Sequence, residues 1–181
     1  MNIVLLGKTG SGKTAICDWL TENLRYEKII TYTTRPMRKG EVDGEDYHFV
    51  TDREFEEKDL ILKTNIYGNK YGTDKNDLVG ADNKIVIVDP NGLDELRLLD
   101  GFSFVSVYVA CPTHIRYSRC VRRGDSPMIT LSRISSETYS FDGLVPDITV
   151  DNSNGTVYPA VISILEKVKE VSDCSHHRCI K

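Results

Sequence analysis

Residues 7–14 read Gly-Lys-Thr-Gly-Ser-Gly-Lys-Thr and directly follow the apolar run Ile3-Val4-Leu5-Leu6. Gly7, Gly12, Lys13 and Thr14 fit the spacing G-x-x-x-x-G-K-[ST], a loop whose backbone N–H groups turn inward on phosphate oxygens. Glycines allow the backbone conformations such a loop needs. A helix starting near Lys13 adds the positive end of its dipole. In this chemistry Lys13 reaches the β- and γ-phosphates, and the Thr14 hydroxyl is a ligand for Mg²⁺. The expected ATP-binding set is Gly7, Thr9, Gly10, Ser11, Gly12, Lys13 and Thr14.

A second group of phosphate-seeking side chains follows. Arg35 and Arg38, three apart in a polar segment, can fork a monophosphate. Tyr47, Tyr71 and Thr73 add hydrogen-bond donors. A third group lies between Arg116 and Arg133, where arginine recurs at 116, 119, 122, 123 and 133. It reads either as a solvated helix face or as cations brought onto a transferring phosphoryl group. Asp89 closes the apolar run Ile85-Val86-Ile87-Val88 and resembles a Walker B carboxylate, although an Asp after a strand is also a common turn residue. Asp77-Leu-Val-Gly80 matches the D-x-x-G of GTPases, but no strand precedes it and no N-K-x-D follows; it reads as a helix end with a glycine cap.

The elements that must hold these groups alternate. Strands are expected at 2–6, 28–33, 60–66, 84–88, 103–110 and 147–150. Helices are expected at 13–25, 52–58, 74–80, 92–99, 112–123, 128–140 and 156–171. That order predicts an α/β fold, a doubly wound parallel sheet covered on both faces. Turn-rich insertions at about 32–75 and 118–134 are the natural acceptor-binding flap and lid. The core comprises 1–31, 76–117 and 135–172, with a disordered tail at 173–181. Val157, Ala160, Val161, Ile164, Leu165, Val168 and Val171 recur at helical spacing and read as core.

Apolar residues at 40%, charged residues at 28% and a net charge of −4 describe one globular domain with no basic field for nucleic acid or an anionic membrane. The chain passes from Met1-Asn2 into a strand without a basic, apolar leader, and no run reaches the roughly 18–20 apolar residues of a membrane span. A cytoplasmic monomer or homodimer acting on small-molecule nucleotides is expected. Five irregularly spaced cysteines argue against a disulfide framework. Cys174, His176, His177 and Cys179 are four potential metal ligands, but packed too closely to suit a tetrahedral site.

The stretch Thr31–Val50, T-Y-T-T-R-P-M-R-K-G-E-V-D-G-E-D-Y-H-F-V, resembles the GMP-binding segment of guanylate kinases, T-T-R-x-x-R-x-G-E-x-x-G-x-D-Y-x-F. Together with the glycine loop the resemblance spans nearly the whole chain. It implies phosphorylation of a nucleoside monophosphate, GMP or dGMP, by Mg-ATP. Arg35, Arg38, Tyr47 and Tyr71 would hold the acceptor phosphate, and Thr31, Thr73 and Asp89 would face guanine. Arg119, Arg123 and Arg133, with Lys13 and Arg35, would serve catalysis, and Asn152 would contact adenine. One position departs: where the family carries a guanine-binding glutamate, counting back from Tyr71-Gly72-Thr73 gives Leu62, and a second acidic position is Ile87. Base discrimination is therefore expected to be weaker than the family pattern. The rivals are a same-fold kinase for another nucleotide or a ribose bisphosphate, and a non-catalytic module that binds phosphorylated partners. The intact Gly12, Lys13 and Thr14 favour an enzyme.

Overall fold

The computed structural model describes residues 1–80, 82–137 and 141–177, with side chains as far as 173. Strand β1 (Asn2–Leu6) is buried at all five positions, as a continuous apolar run predicts for the middle of a parallel sheet. Helix α1 (Lys13–Asn23) starts after the glycine loop, with Gly12 as its N-cap. Strands β2 (Glu27–Lys28), β3 (Tyr32–Thr33) and β4 (His48–Phe49) follow. Helix α2 (Asp52–Glu56) opens on a capping box, Thr51 with Glu54. Strands β5 (Leu60–Ile66) and β6 (Asn69–Asp74) form a hairpin. Its two loop residues, Tyr67 and Gly68, both have positive φ (54° and 80°), the geometry that matches strand twist. The chain continues through β7 (Lys84–Ile87), α3 (Pro90–Arg97), β8 (Phe104–Ala110), α4 (Thr113–Arg122), α5 (Pro127–Ser136), β9 (Ile148–Asp151) and α6 (Tyr158–His177).

Two sheets result. The larger, ordered β2-β7-β1-β8-β9, is parallel throughout. Alternate residues of β1 feed opposite cores: Ile3 and Leu5 pack with Ile16, Leu20, Val161 and Ile164, while Val4 and Leu6 pack with Leu62, Leu78, Leu93 and Leu96. The sheet is thus covered on both faces, a P-loop α/β architecture. The carboxyl ends of β1, β7, β8 and β9 bring the glycine loop, Asp89, Cys111 and Asn152 to one edge, where a doubly wound sheet binds ligands. The smaller sheet, β4-β3-β6-β5, is built from residues 32–74.

Several expected elements differ. The strand anticipated over 28–33 is two strands in different sheets, separated by Ile29–Thr31. The helix anticipated over 74–80 is one 3-10 turn, Lys75–Asp77, which buries Leu78 and ends before Gly80 at φ 67°. Strand β6 was not anticipated; Gly72 in its centre masks its pattern and instead lets it approach Leu60 and Phe55. Helix α6 continues beyond 171, and the side chains weighed as metal ligands, Cys174, His176, His177 and Cys179, lie outside those described. Among the described residues no helix is long and apolar enough to cross a membrane, and no group of three or more His, Cys, Asp or Glu could hold a metal.

Candidate active site

The glycine loop sits against α4 and the end of β9. A Cβ on Gly10 would lie 2.6 Å from the Arg116 carbonyl oxygen and 2.9 Å from Cys120 Sγ. One on Gly12, where φ is 97°, would collide with the Asn152 amide. Only glycine fits these two positions. Ser11 is buried, and its carbonyl accepts from Asn152 Nδ2 (2.8 Å) and Arg119 Nη1 (3.1 Å). Arg119 Nη2 donates to the Asn152 carbonyl at 2.8 Å. Arg119 therefore braces the loop and the β9 end from below. Asn152 is 2% exposed, and its Oδ1 has no partner among the described residues, leaving an acceptor beside the loop.

Lys13 folds back over the loop, its Nζ donating to the carbonyls of Gly7 (2.5 Å) and Lys8 (3.3 Å). Desolvation lowers its pKa to about 8; Glu137 opposes that shift, and Arg123 and Arg116 add to it. The Thr14 side chain, one residue on, is exposed at the start of α1. Glu137 was not singled out from sequence. Its carboxylate accepts from the Thr9 amide (3.0 Å) and hydroxyl (2.5 Å), and buried Arg116 Nη1 lies 3.2 Å away.

The small sheet gathers the second group on one face. Register pairs Thr33 with both Phe49 and Tyr71, and Tyr71 with Thr64. Alternation then adds Thr31, Tyr47 and Thr73 to that face. The Tyr47 and Tyr71 rings lie 6.1 Å apart. Arg35, 7% exposed, stacks its guanidinium 5.2 Å over Tyr47 and forks Glu41 through Nη1–Oε2 (3.0 Å) and Nη2–Oε1 (2.8 Å). A third bond goes to the Pro36 carbonyl, so two of its five N–H donors remain. Glu41 also accepts from the Arg38 amide at 2.7 Å. Burial opposes its ionisation, but Arg35 and Arg38 outweigh burial and hold its carboxyl below the ordinary range.

The segment expected to form the lid meets the small-sheet segment at two points. Asp125, 10% exposed, accepts from Arg123 (2.6 and 3.1 Å) and lies 3.7 Å from Arg133 Nη1 and 3.9 Å from Arg38 Nε. Burial works against its charge; the Arg123 bonds, with Arg38 and Arg133, nonetheless keep its carboxyl below the usual range. At the second point Tyr67, on the hairpin tip, donates its hydroxyl to the Arg133 carbonyl at 2.9 Å and lies under the Arg133 guanidinium.

Residues 1–167 match the family model described as guanylate kinase. The chain belongs to the guanylate kinase family. It is 33% identical over 178 residues to a guanylate kinase of Rhodopseudomonas palustris, covering 90% of this chain and 80% of that one. It is 32% identical over 151 residues to one from a Chelativorans species, covering 77% and 69%. The crystal structure of guanylate kinase from Anaplasma phagocytophilum has the same fold, with a TM-score of 0.58 at 22% identity over 100% of this chain and 87% of that one. As a guanylate kinase family member the protein is a nucleoside monophosphate kinase, a nucleotide-binding transferase of the P-loop type.

For this guanylate kinase relative, one expectation is corrected. Leu62 does not present its side chain to a base; it is 6% exposed within the apolar cluster of Leu78, Val86, Leu93 and Leu96. The polar side chain that reaches Asp89 is Thr64, whose hydroxyl donates to Oδ2 at 2.6 Å. Asp89 Oδ1 caps α3 by accepting from the Gly92 amide at 2.8 Å. Leu62→Glu is accordingly expected to place an unpaired carboxylate in the core. The loss should be on the order of 3 kcal/mol, read as a fall in melting temperature of about 6–12 °C. An unchanged melting temperature would contradict this placement. Thr64, Glu41, Asp125 and Glu137 escaped the sequence reading. Only Glu41 carried a signal, as the invariant-looking acid of the G-E pair in the quoted motif.

Proposed function

We propose that the protein transfers the γ-phosphoryl group of Mg-ATP to GMP or dGMP, giving ADP and the diphosphate. The observation that carries this reading is the meeting of flap and lid at Asp125, which draws Arg38, Arg123 and Arg133 together around one anionic position. The family membership supports it. Gly7, Thr9, Gly10, Ser11, Gly12, Lys13 and Thr14 would cradle the donor phosphates, with Asn152 beside the adenine. Arg35, Arg38, Tyr47 and Tyr71 would hold the acceptor phosphate, with Thr31, Thr73 and Asp89 toward its base. Phosphoryl transfer asks the protein chiefly for positioning and positive charge, and Arg123 and Arg133, with Lys13, supply that charge. Arg119, tied to the Ser11 carbonyl of the loop and to the Asn152 carbonyl beyond β9, would maintain the donor site.

Magnesium fits here as the partner of one hard oxygen donor: the exposed Thr14 hydroxyl, completed by substrate phosphates and water, suits an ion bound through few protein ligands. When bound it would neutralise charge on the β- and γ-phosphates. A coupled assay of ADP release across the common ribo- and deoxyribonucleoside monophosphates tests the proposal. GMP and dGMP should give the highest kcat/KM. Preference for a pyrimidine acceptor, or no ADP release with any monophosphate, would overturn it.

A further inference from the structure

The β5–β6 hairpin contains a register slip that decides which side chains face the acceptor. Pairing runs Ile66 with Asn69, Asn65 with Lys70 and Thr64 with Tyr71, then resumes at Ile61 with Thr73. Leu62 and Lys63 therefore stand opposite Gly72 alone, a β-bulge. Without the bulge, residue 62 would lie opposite Thr73 on the face shared by Tyr47 and Tyr71. With it, Leu62 takes φ 52°, a left-handed conformation that leucine rarely adopts. Two contacts hold it there: its amide donates to Glu95 Oε2 at 3.0 Å, and its side chain is buried in the apolar cluster. Backbone strain maintained by surrounding structure concentrates at functional positions.

The bulge leaves Thr64 as the residue of β5 that joins the flap to Asp89. The Thr64 hydroxyl has one hydrogen, and it is committed to Asp89 Oδ2. Its two lone pairs remain, as do those of the carboxylate not used by Thr64 and by the Gly92 amide. Both residues are only partly buried. The pair thus presents acceptors and no donor.

We propose that Thr64 is a specificity-determining residue which, with Asp89, forms an acceptor-only reader for a purine base edge carrying adjacent N–H donors. Guanine, with N1–H beside N2–H₂, matches it. Adenine turns an unprotonated N1 toward the same lone pairs and is rejected. The hydroxyl takes over the accepting role that the bulge removes from position 62. This inference rests on the proposed reading that a purine monophosphate binds on this face.

The test is kcat/KM for GMP, AMP and inosine monophosphate at saturating Mg-ATP on wild type, Thr64→Val, Thr64→Ala and Thr64→Ser, with melting curves for each. A base donor left without its acceptor should lower the GMP-to-AMP ratio about tenfold or more in Thr64→Val, chiefly through KM for GMP. Thr64→Ala should show the same shift, so misfolding of one variant does not decide the outcome. Thr64→Ser, which keeps the hydroxyl, should stay within about threefold of wild type on that scale. Ratios unchanged in both Thr64→Val and Thr64→Ala overturn the inference, as does a Thr64→Ser variant as damaged as Thr64→Val. A wild-type enzyme that fails to phosphorylate GMP would instead bring down the proposed function itself.

Discussion

Replacing Arg123 by Ala is expected to lower kcat by about 10³-fold or more, with a much smaller change in nucleotide KM. Arg123 is the C-cap residue of α4, and its exposed side chain makes its close contacts to Asp125. That carboxylate marks a position where Arg38, Arg123 and Arg133 can all approach one negative charge. Charge that develops on the transferring phosphoryl group would meet the same three guanidinium groups, so they act in the transition state more than in the ground state. Arg133→Ala should behave alike. Arg119→Ala should differ: its bonds to the Ser11 and Asn152 carbonyls hold the donor site together, so its cost belongs in KM for ATP. Steady-state kinetics on the three variants separates these cases. Losses below about threefold in kcat for Arg123→Ala and Arg133→Ala would, on the same scale, make them surface charges.

Lys13→Ala is expected to abolish useful turnover, a loss on the order of 10²–10³ or greater, while the protein stays folded. The fold should not suffer, because burial already disfavours the Lys13 charge: desolvation draws its pKa down to about 8. The sign follows. The unfolded chain holds that proton more tightly between about 8 and the ordinary lysine value, so Lys13 contributes no stability at neutral pH that alanine would remove. Phosphate binding has the opposite preference, since only the cation attracts it. Affinity for ATP should therefore weaken as pH rises through about 8 in wild type, and this limb should vanish in Lys13→Ala. Calorimetric titration of ATP across pH 7–9.5, with a melting curve for the variant, reads both effects. A folded Lys13→Ala enzyme with wild-type turnover would remove the loop from the mechanism.

The glycine loop, β1 and α6 were legible because each is set by short-range pattern: glycine spacing, an unbroken apolar run and a helical stripe. Of the small sheet only β5 was legible, expected at 60–66 and found at Leu60–Ile66. Strands β3 and β4 are two residues long and exist through pairing with distant segments, which periodicity over a few residues does not register. The bulge at Leu62 was hidden for the same reason. Its left-handed backbone depends on Glu95, which is 33 residues away. Counting along an unbroken strand therefore turned Leu62 toward the base, whereas the register slip buries it and sets Thr64 on the Tyr71 face beside Asp89. The missed carboxylates have a different cause. Glu41, Asp125 and Glu137 lie in polar loops or at a helix end, where an acid ordinarily reads as solvated, and only folding supplies the arginines that enclose two of them and the loop amide that engages the third.

Glu137 would also fix how the proposed lid could swing. It caps the far end of α5 and is fastened to the Thr9 amide and hydroxyl and to Arg116. A lid that moves while this fastening holds is a lever with its fulcrum on the phosphate loop. Arg133, four residues from the fulcrum, has an arm of about 6 Å, whereas Ser126 at the other end of the helix lies about 16 Å out. A swing of about 20° would carry Ser126, and Asp125 with it, some three times as far as Arg133, about 6 Å against about 2 Å. Arg133 and Asp125 are thus geared differently. Arg133 would stay near its place through such a stroke, and the 3.9 Å ion pair of Asp125 with Arg38 is the contact the stroke would break.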